Sequence, residues 1–252
     1  VFEGVTMAAI NGFLKRVPIV IIEETSDPQT RSWRANLLMN LFGRLSDCAI
    51  GVSPASVDYL LHKANIKKDK VKLINNGVVV PRIVSEIEKQ RLKSMLGVNQ
   101  DDLVIGSVGR MVQDEHKRFS DLIKAFAIVH KSNKKVKLLL VGNGPEQEGY
   151  RLLADQLGVL EKIVFVGYQE DTAQYYAIMD MFALVSAYES FGLVLAEAML
   201  HKLPVLATKV GGMQYIVDDN STGFLVEKYN VEAIAEKLEI LCMDEALRTK
   251  YG

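Results

Sequence analysis

The sequence predicts an α/β protein made of two Rossmann-like domains with parallel sheets, the first of them incomplete in this chain. Short apolar runs rich in Val and Ile alternate with helix-forming segments along nearly the whole length. That alternation is interrupted once, near residue 80, by a turn signal and a proline. With 252 residues, 49% of them apolar, the chain can fill one large domain or one domain and part of a second.

In chain order, 17–22, 48–53 and 71–74 read as strands, with helices near 30–46 and 54–64 between them. Three strands make half of a domain. Asn75, Asn76 and Gly77 signal a turn, and Pro81 restricts the residue before it, which places a linker at 75–84. The domain boundaries that follow are 1–78 and 79–252. The second domain holds strands at 103–108, 136–141, 163–167, 182–186, 205–208 and 223–226, separated by helices, and ends in a helix over 231–243.

Composition narrows the chemistry. A net charge of −1 excludes a general nucleic-acid binder. Four scattered histidines and two cysteines form no ligand cluster, so no metal site is expected, and Cys48 and Cys242 read as inert buried thiols. No apolar run approaches the about 20 residues of a membrane span. Val1-Phe-Glu-Gly4 lacks the charged leader of a signal peptide, and the chain reads as a piece of a longer protein.

The most informative stretch is Phe191-Gly-Leu-Val-Leu-Ala-Glu-Ala-Met-Leu200, in which Glu197 is the one carboxylate of an apolar run, eight positions after Glu189. The segment 192–202 has no proline and many helix formers, so it reads as a helix buried almost all round, with Leu193, Val194, Leu200 and His201 on the face of Glu197. A carboxylate there needs hydrogen bonds or a cation. Sugar hydroxyls could supply the first; a structural pairing with Lys202 or a backbone amide is the other reading. Gly192 permits close approach of a ligand, and the first amides of the helix, at Phe191, Gly192 and Leu193, make an anion site.

Glu189-Ser-Phe-Gly-Leu-Val-Leu-Ala-Glu197, the Ala-Met that follows, Pro204-Val-Leu-Ala-Thr208 and Val210-Gly-Gly212 together resemble the donor-site signature of retaining glycosyltransferase family 4, whose fold is GT-B. The resemblance runs from about Pro18 to the end of the chain. It implies a metal-independent enzyme with no cofactor that moves a sugar from a nucleoside diphosphate sugar to a glycan or lipid-linked acceptor. It also implies that Glu197 binds the ribose hydroxyls, that Glu189 binds a hydroxyl of the transferred sugar, and that Arg110 and Lys117 hold the diphosphate. On composition alone 113–118 reads as a solvated loop whose charges pair with one another, and it is the resemblance that reverses this. Lys117 lies seven residues after Arg110 rather than the usual five or six, which leaves Arg118 as the competing cation.

Gly109, Gly142 and the backbone of Tyr168 and Gln169 take donor-lining places in the same resemblance. For Gly142 an ordinary tight turn is the structural alternative, and for Tyr168 a half-buried core aromatic. Glu24 falls where many relatives carry a His that faces the sugar, and a carboxylate there could accept a hydroxyl or steady positive charge at the anomeric carbon; Glu24-x-x-Asp27-Pro28 is similar to a bacterial subgroup that builds surface polysaccharides. The structural alternative there is an N-cap cluster, with Ser26 or Asp27 capping the next helix. Trp33 is expected to pack. The same analogy places the enzyme in the cytoplasm, peripheral at the inner face of the membrane when the acceptor is lipid-linked. Two other classes share these features: a nucleotide-sugar-binding module without turnover, and a GT-B-fold sugar-nucleotide epimerase.

Overall fold

The computed structural model describes residues 2–25, 31–112 and 114–252. They form two compact units, each with its own parallel sheet, as the alternation of strand and helix requires. The first unit comprises the chain up to Gly77 together with Tyr188–Gly192 and Gly211–Tyr215, and the second comprises Val78–Ala187, Leu193–Val210 and Ile216–Gly252.

The first unit holds α1 (Phe2–Leu14), β1 (Ile21–Glu24), α2 (Trp33–Leu45), β2 (Cys48–Gly51), α3 (Pro54–Asp58) and β3 (Val71–Leu73), with sheet order β1-β2-β3. A π-helical turn, Tyr59–Lys63, continues α3. Its core gathers Val5 and Ala9 of α1, Ile22, Met39, Phe42, Ala49 and Leu60. The helix α1 has no counterpart in the sequence reading. It buries only a narrow stripe, and Gly12 on that stripe lets Val20 approach so closely that a Cβ there would stand 2.4 Å from Val20 Cγ2.

The first strand also differs from its expected range, lying at Ile21–Glu24 instead of 17–22. Pro18 has no N–H to donate, and the Val20 N–H goes to the Asp47 carboxylate (2.8 Å) instead of a ladder partner. Regular pairing therefore starts at Ile21↔Cys48 and ends at Glu24↔Gly51. Sides alternate, so Glu24 is buried on the face that Ile22 occupies.

The second unit has strands β4 (Leu103–Val108), β5 (Val136–Val141), β6 (Ile163–Gly167), β7 (Met181–Leu184), β8 (Val205–Thr208) and β9 (Gly223–Val226). Their order is β6-β5-β4-β7-β8-β9, all parallel. Every residue of β7 and β8 is buried, which is why these strands read as unbroken apolar runs. Two long helices, α6 (Phe119–Ser132) and α10 (Val231–Met243), pack against each other over the sheet. On α6, Phe119, Leu122, Ile123 and Phe126 recur at helical spacing and are buried to 1% exposure or less.

The remaining helices are α4 (Glu86–Met95), a short α5 (Asp114–Lys117), α7 (Gln147–Gln156), α8 (Ala173–Tyr176), α9 (Leu193–Leu200) and α11 (Glu245–Tyr251). The segment expected as a linker is without regular structure from 74 to 85. It is followed by α4, whose Ser85 and Glu88 form a capping box. Arg82 ties that cap to the segment after β6, donating to Asp171 (2.9 Å) and to Glu88 (3.1 Å). The two cysteines are unpaired, with Cys242 buried and Cys48 only half-buried, so the second part of that expectation fails for Cys48. It lies on β2, in a sheet of three strands, where one face is incompletely covered.

His130 extends the buried stripe of α6. It is 8% exposed, stacks on Phe126 with ring centroids 5.9 Å apart, and its Nδ1 makes no hydrogen bond. Burial, reinforced by Lys134, Lys162 and Lys137, holds its pKa below the ordinary value of 6.5. The unfolded chain therefore takes up a proton as pH falls through 6.5 while the native state does not, so stability declines below that pH until the native imidazole also titrates. Urea unfolding at pH 7.5 and 5.5 should show a smaller acid loss in His130→Phe than in the parent chain. An unchanged difference would remove His130 as a source of acid sensitivity.

Candidate functional site

In the second unit the strand sequence reverses between β4 and β7, so their connections leave the sheet in opposite lateral directions and open a crevice at its carboxyl edge. The expected site residues Gly109, Arg110, Gly142, Tyr168 and Gln169 all follow the carboxyl ends of β4, β5 and β6. Backbone bonds beyond the ladders stitch these ends together: Gly109 N–H to Val141 O (2.9 Å), Met111 N–H to Asn143 O (2.8 Å) and Gly142 N–H to Gly167 O (2.8 Å). Gly142 has φ +129°, and a Cβ there would lie 2.0 Å from the Gly109 carbonyl oxygen. The protein's own backbone thus demands this glycine, as the tight-turn reading holds. Tyr168 is 71% exposed, which overturns its reading as a half-buried core aromatic; it follows Gly167, whose φ of +81° turns the chain out of the sheet. Gln169 is half-buried and donates weakly to Val166 O (3.4 Å).

Two neighbouring cations are sorted by their geometry. Arg118 adopts a left-handed backbone (φ 53°) and forks onto Asp121 with two bonds of 2.8 Å, while its guanidinium lies 5.0 Å from the Tyr229 ring centroid. That fork occupies its bidentate face. Lys117 is half-buried, and its Cδ and Cε lie 3.8 Å from where a Gly109 Cβ would stand, so its stem runs along the backbone that leads to Arg110. Arg110 itself is exposed. The preceding residue fixes the loop, because His116 O accepts from Ala187 N–H (2.8 Å) just after β7. Gln113, the first residue of the 113–118 loop, lies outside the described residues.

Glu197 is half-buried on α9. The helix is less enclosed than its composition suggests: it packs on β7 and β8, but only Leu195 and Ala198 are buried, and Leu193 and Leu200 are over 40% exposed. The carboxylate's partner is neither Lys202 nor a backbone amide. Tyr176 at the end of α8 donates its phenolic O–H to Glu197 Oε2 (2.9 Å). Gly192, with φ +102°, turns the chain directly into Leu193, the first residue of α9, whose opening amides have no intrahelical acceptors. Phe191 and Gly192 are both buried. Gly212 makes room for them, since a Cβ there would stand 2.5 Å from Ser190 O and 2.6 Å from Phe191 Cα; its N–H bonds to Glu189 O (3.2 Å).

Within the first unit, Glu189 lines a cavity of about 340 Å³ with Arg31, Asn36, Tyr59, Lys63 and Gln214. Glu24 ends β1 rather than following it, and at 1% exposure it is ion-paired with Arg31 (2.6 and 2.9 Å). The Arg31 guanidinium also donates to Tyr59 O–H (3.1 Å), which donates in turn to Asn36 Oδ1 (3.1 Å). Burial raises the Tyr59 pKa, with the Arg31 contact opposing, so the phenol stays a donor. What this wall offers is therefore a guanidinium held by Glu24. The expected N-cap is also displaced: Ser32 caps α2, accepting from Ala35 N–H (3.3 Å), while Ser26, Asp27 and Pro28 lie outside the described residues. Trp33 does not pack, being 70% exposed beneath Arg34.

Arg31, Tyr59 and Tyr176 were missed by sequence reasoning. Their partners stand 7, 28 and 21 positions away, and no local pattern marks such pairs.

The description "Glycosyl transferases group 1" fits residues 88–252, and the chain belongs to that family. It is 30% identical over 207 residues to the N-acetyl-alpha-D-glucosaminyl L-malate synthase of Bacillus anthracis, covering 82% of this chain and 53% of that protein. It is 33% identical over 195 residues to the capsular polysaccharide biosynthesis glycosyltransferase CapM of Staphylococcus aureus, covering 74% and 50%. The chain thus spans about half the length of these curated relatives. Among solved structures, Anabaena HepE in complex with UDP and glucose matches all of this chain and 69% of its own, with a TM-score of 0.89 and 26% identity. The fold is GT-B, as the resemblance implied.

The buried ion pair gives a direct test of the cavity wall. Arg31→Ala leaves the Glu24 carboxylate buried without its cation, which should cost about 3–5 kcal/mol in urea unfolding. The double variant Arg31→Ala/Glu24→Gln should recover a large part of that loss, and equal destabilisation of both would show that the Arg31 stem, not its charge, matters here.

Proposed function

We propose that the chain is the donor-binding part, and a portion of the acceptor side, of a retaining, metal-independent glycosyltransferase of family 4. The donor is a nucleoside diphosphate sugar and the acceptor a glycan or a lipid-linked glycan. The domain over 79–252, as the sequence divides the chain, binds the donor, and the domain over 1–78 belongs to the acceptor side. The observation that carries this reading is the sheet edge where Lys117 runs beside the backbone of Gly109 and Arg118 is committed to Asp121. A lysine and an arginine beside one strand terminus suit a diphosphate, the first as a point charge and the second as a planar fork.

The roles follow from chemistry. Arg110 and Lys117 neutralise the diphosphate and the charge that grows on it as the glycosidic bond breaks, and the amides of Phe191 to Leu193 add donors at the positive end of α9. Glu197 accepts the two ribose hydroxyls, the backbone at Tyr168 and Gln169 faces the base, and Glu189 accepts a hydroxyl of the transferred sugar. Glu24 acts through Arg31, setting the guanidinium in the cavity wall. HepE was solved with UDP and with UDP-glucose, which makes UDP the first probe. Among the described residues no helix is long and apolar enough to cross a membrane.

Calorimetry with UDP and uridine tests the donor site. Lys117→Ala should weaken UDP about tenfold or more and leave uridine unchanged, because only the diphosphate contact is lost. Equal losses for both would mean the loop has moved. Glu197→Gln should weaken both nucleotide and nucleoside by roughly 10- to 150-fold while the fold is kept. For the mechanism, NMR of a product formed from a nucleoside diphosphate sugar should show the donor's anomeric configuration retained. Inversion would overturn the retaining assignment, and tight donor binding with no transfer across a broad acceptor panel would favour a binding module.

A further inference from the structure

Tyr176 is one of the largest fully buried side chains of the molecule, at 1% exposure, yet it ends a helix of only four residues. Its ring is clamped between two others: His201 stacks on it at 5.1 Å and 24°, and Phe182 of β7 meets it at 5.7 Å and 52°. The phenolic oxygen is thereby fixed 2.9 Å from Glu197 Oε2 and 3.2 Å from Val194 O. Val194 lies one turn before Glu197 on α9, so one hydroxyl touches both the helix backbone and the carboxylate. Burial and the adjacent Glu197 charge push the phenol's pKa far up, and it stays a donor throughout the physiological range. Burial also lowers the pKa of His201, which stacks as a neutral ring.

A glutamate side chain has three rotatable bonds, and on a half-exposed helix face it would sample several rotamers. Here a rigid donor holds one of its oxygens. An ionised carboxylate has about four acceptor sites, so Oε1 and the second lone pair of Oε2 remain for a ligand. A phenylalanine would fill the same volume, and the hydroxyl adds the contact to Val194 O and the shorter bond that aims Glu197.

We infer that Tyr176 is a positioning residue for Glu197, and that the pair makes the site select ribonucleotides over nucleotides whose sugar lacks hydroxyls. This rests on the reading of Glu197 as the acceptor of the ribose hydroxyls. Because a loosely held carboxylate must be ordered on each binding event, loss of the phenol should weaken binding only for ligands that use that carboxylate.

Calorimetry of the 252-residue chain with UDP and with 2′,3′-dideoxy-UDP distinguishes the outcomes. Tyr176→Phe should weaken UDP about 5- to 20-fold, the range of one lost orienting hydrogen bond, and leave dideoxy-UDP within twofold of the parent. On a Glu197→Gln background the same change should alter UDP affinity less than twofold. Parallel losses for both nucleotides would assign Tyr176 a purely structural role and overturn the inference. So would a UDP affinity lowered by Glu197→Gln but untouched by Tyr176→Phe, which would leave the ribose reading of Glu197 in place. If Glu197→Gln itself changes nothing, that reading fails and the positioning role fails with it. The ratio of the two affinities, taken on one preparation, is independent of the fraction folded, so partial destabilisation of Tyr176→Phe does not blur the result.

Discussion

The carbonyl oxygen of Gly109 occupies the place where any side chain at position 142 would begin. This backbone contact closes the carboxyl edge of the larger sheet. The first loop after β4 lies on the first loop after β5, and Gly142 in turn bonds to Gly167 at the end of β6. The loops after β4, β5 and β6, the first leading through Arg110 to Lys117 and the third carrying Tyr168, are thus held by main-chain atoms, with no side-chain rotamer in between. Gly144 repeats the device one step out, since a Cβ there would stand 2.2 Å from Met111 O. For the proposed diphosphate contact such rigidity is an advantage, because ordering is complete before a ligand arrives.

The carboxylates of the two units solve one physical problem in different ways. Glu24, almost wholly buried, requires a full counter-charge and has it in Arg31 at ion-pair distance. Glu197, half in solvent, is held by a neutral phenol and keeps its charge available. Arg118 and Asp121 form a third case, in which a bidentate pair joins two residues three apart at the start of α6. Partner identity, more than residue type, distinguishes these three charges.

Much of the molecule can be read along the chain. Two strands of the second unit, β7 and β8, are continuous apolar runs because they are buried on both faces, and all six strands fall within two residues of their expected bounds. The spacing of Glu189, Gly192 and Glu197 and the later Val-Gly-Gly carry the family. These features are local, and each depends on a few consecutive residues obeying one periodicity. The first unit was less legible. Its helix α1 has a buried stripe narrowed to Val5, Ala9 and Gly12, too thin to register as amphipathic, and its first strand is displaced because Asp47, 27 residues on, takes the Val20 N–H.

The order of residues alone thus settled the α/β class, the parallel sheets and the motif that names the family, since backbone geometry and burial impose them segment by segment. Tertiary structure decided which groups are partners: Tyr176 for Glu197, Arg31 for Glu24, Asp121 for Arg118, and the backbone of Gly109 for Gly142. The physical reason is range. A hydrogen bond or ion pair acts over about 3 Å, and only the packing of separate elements brings side chains that are distant in sequence within that reach.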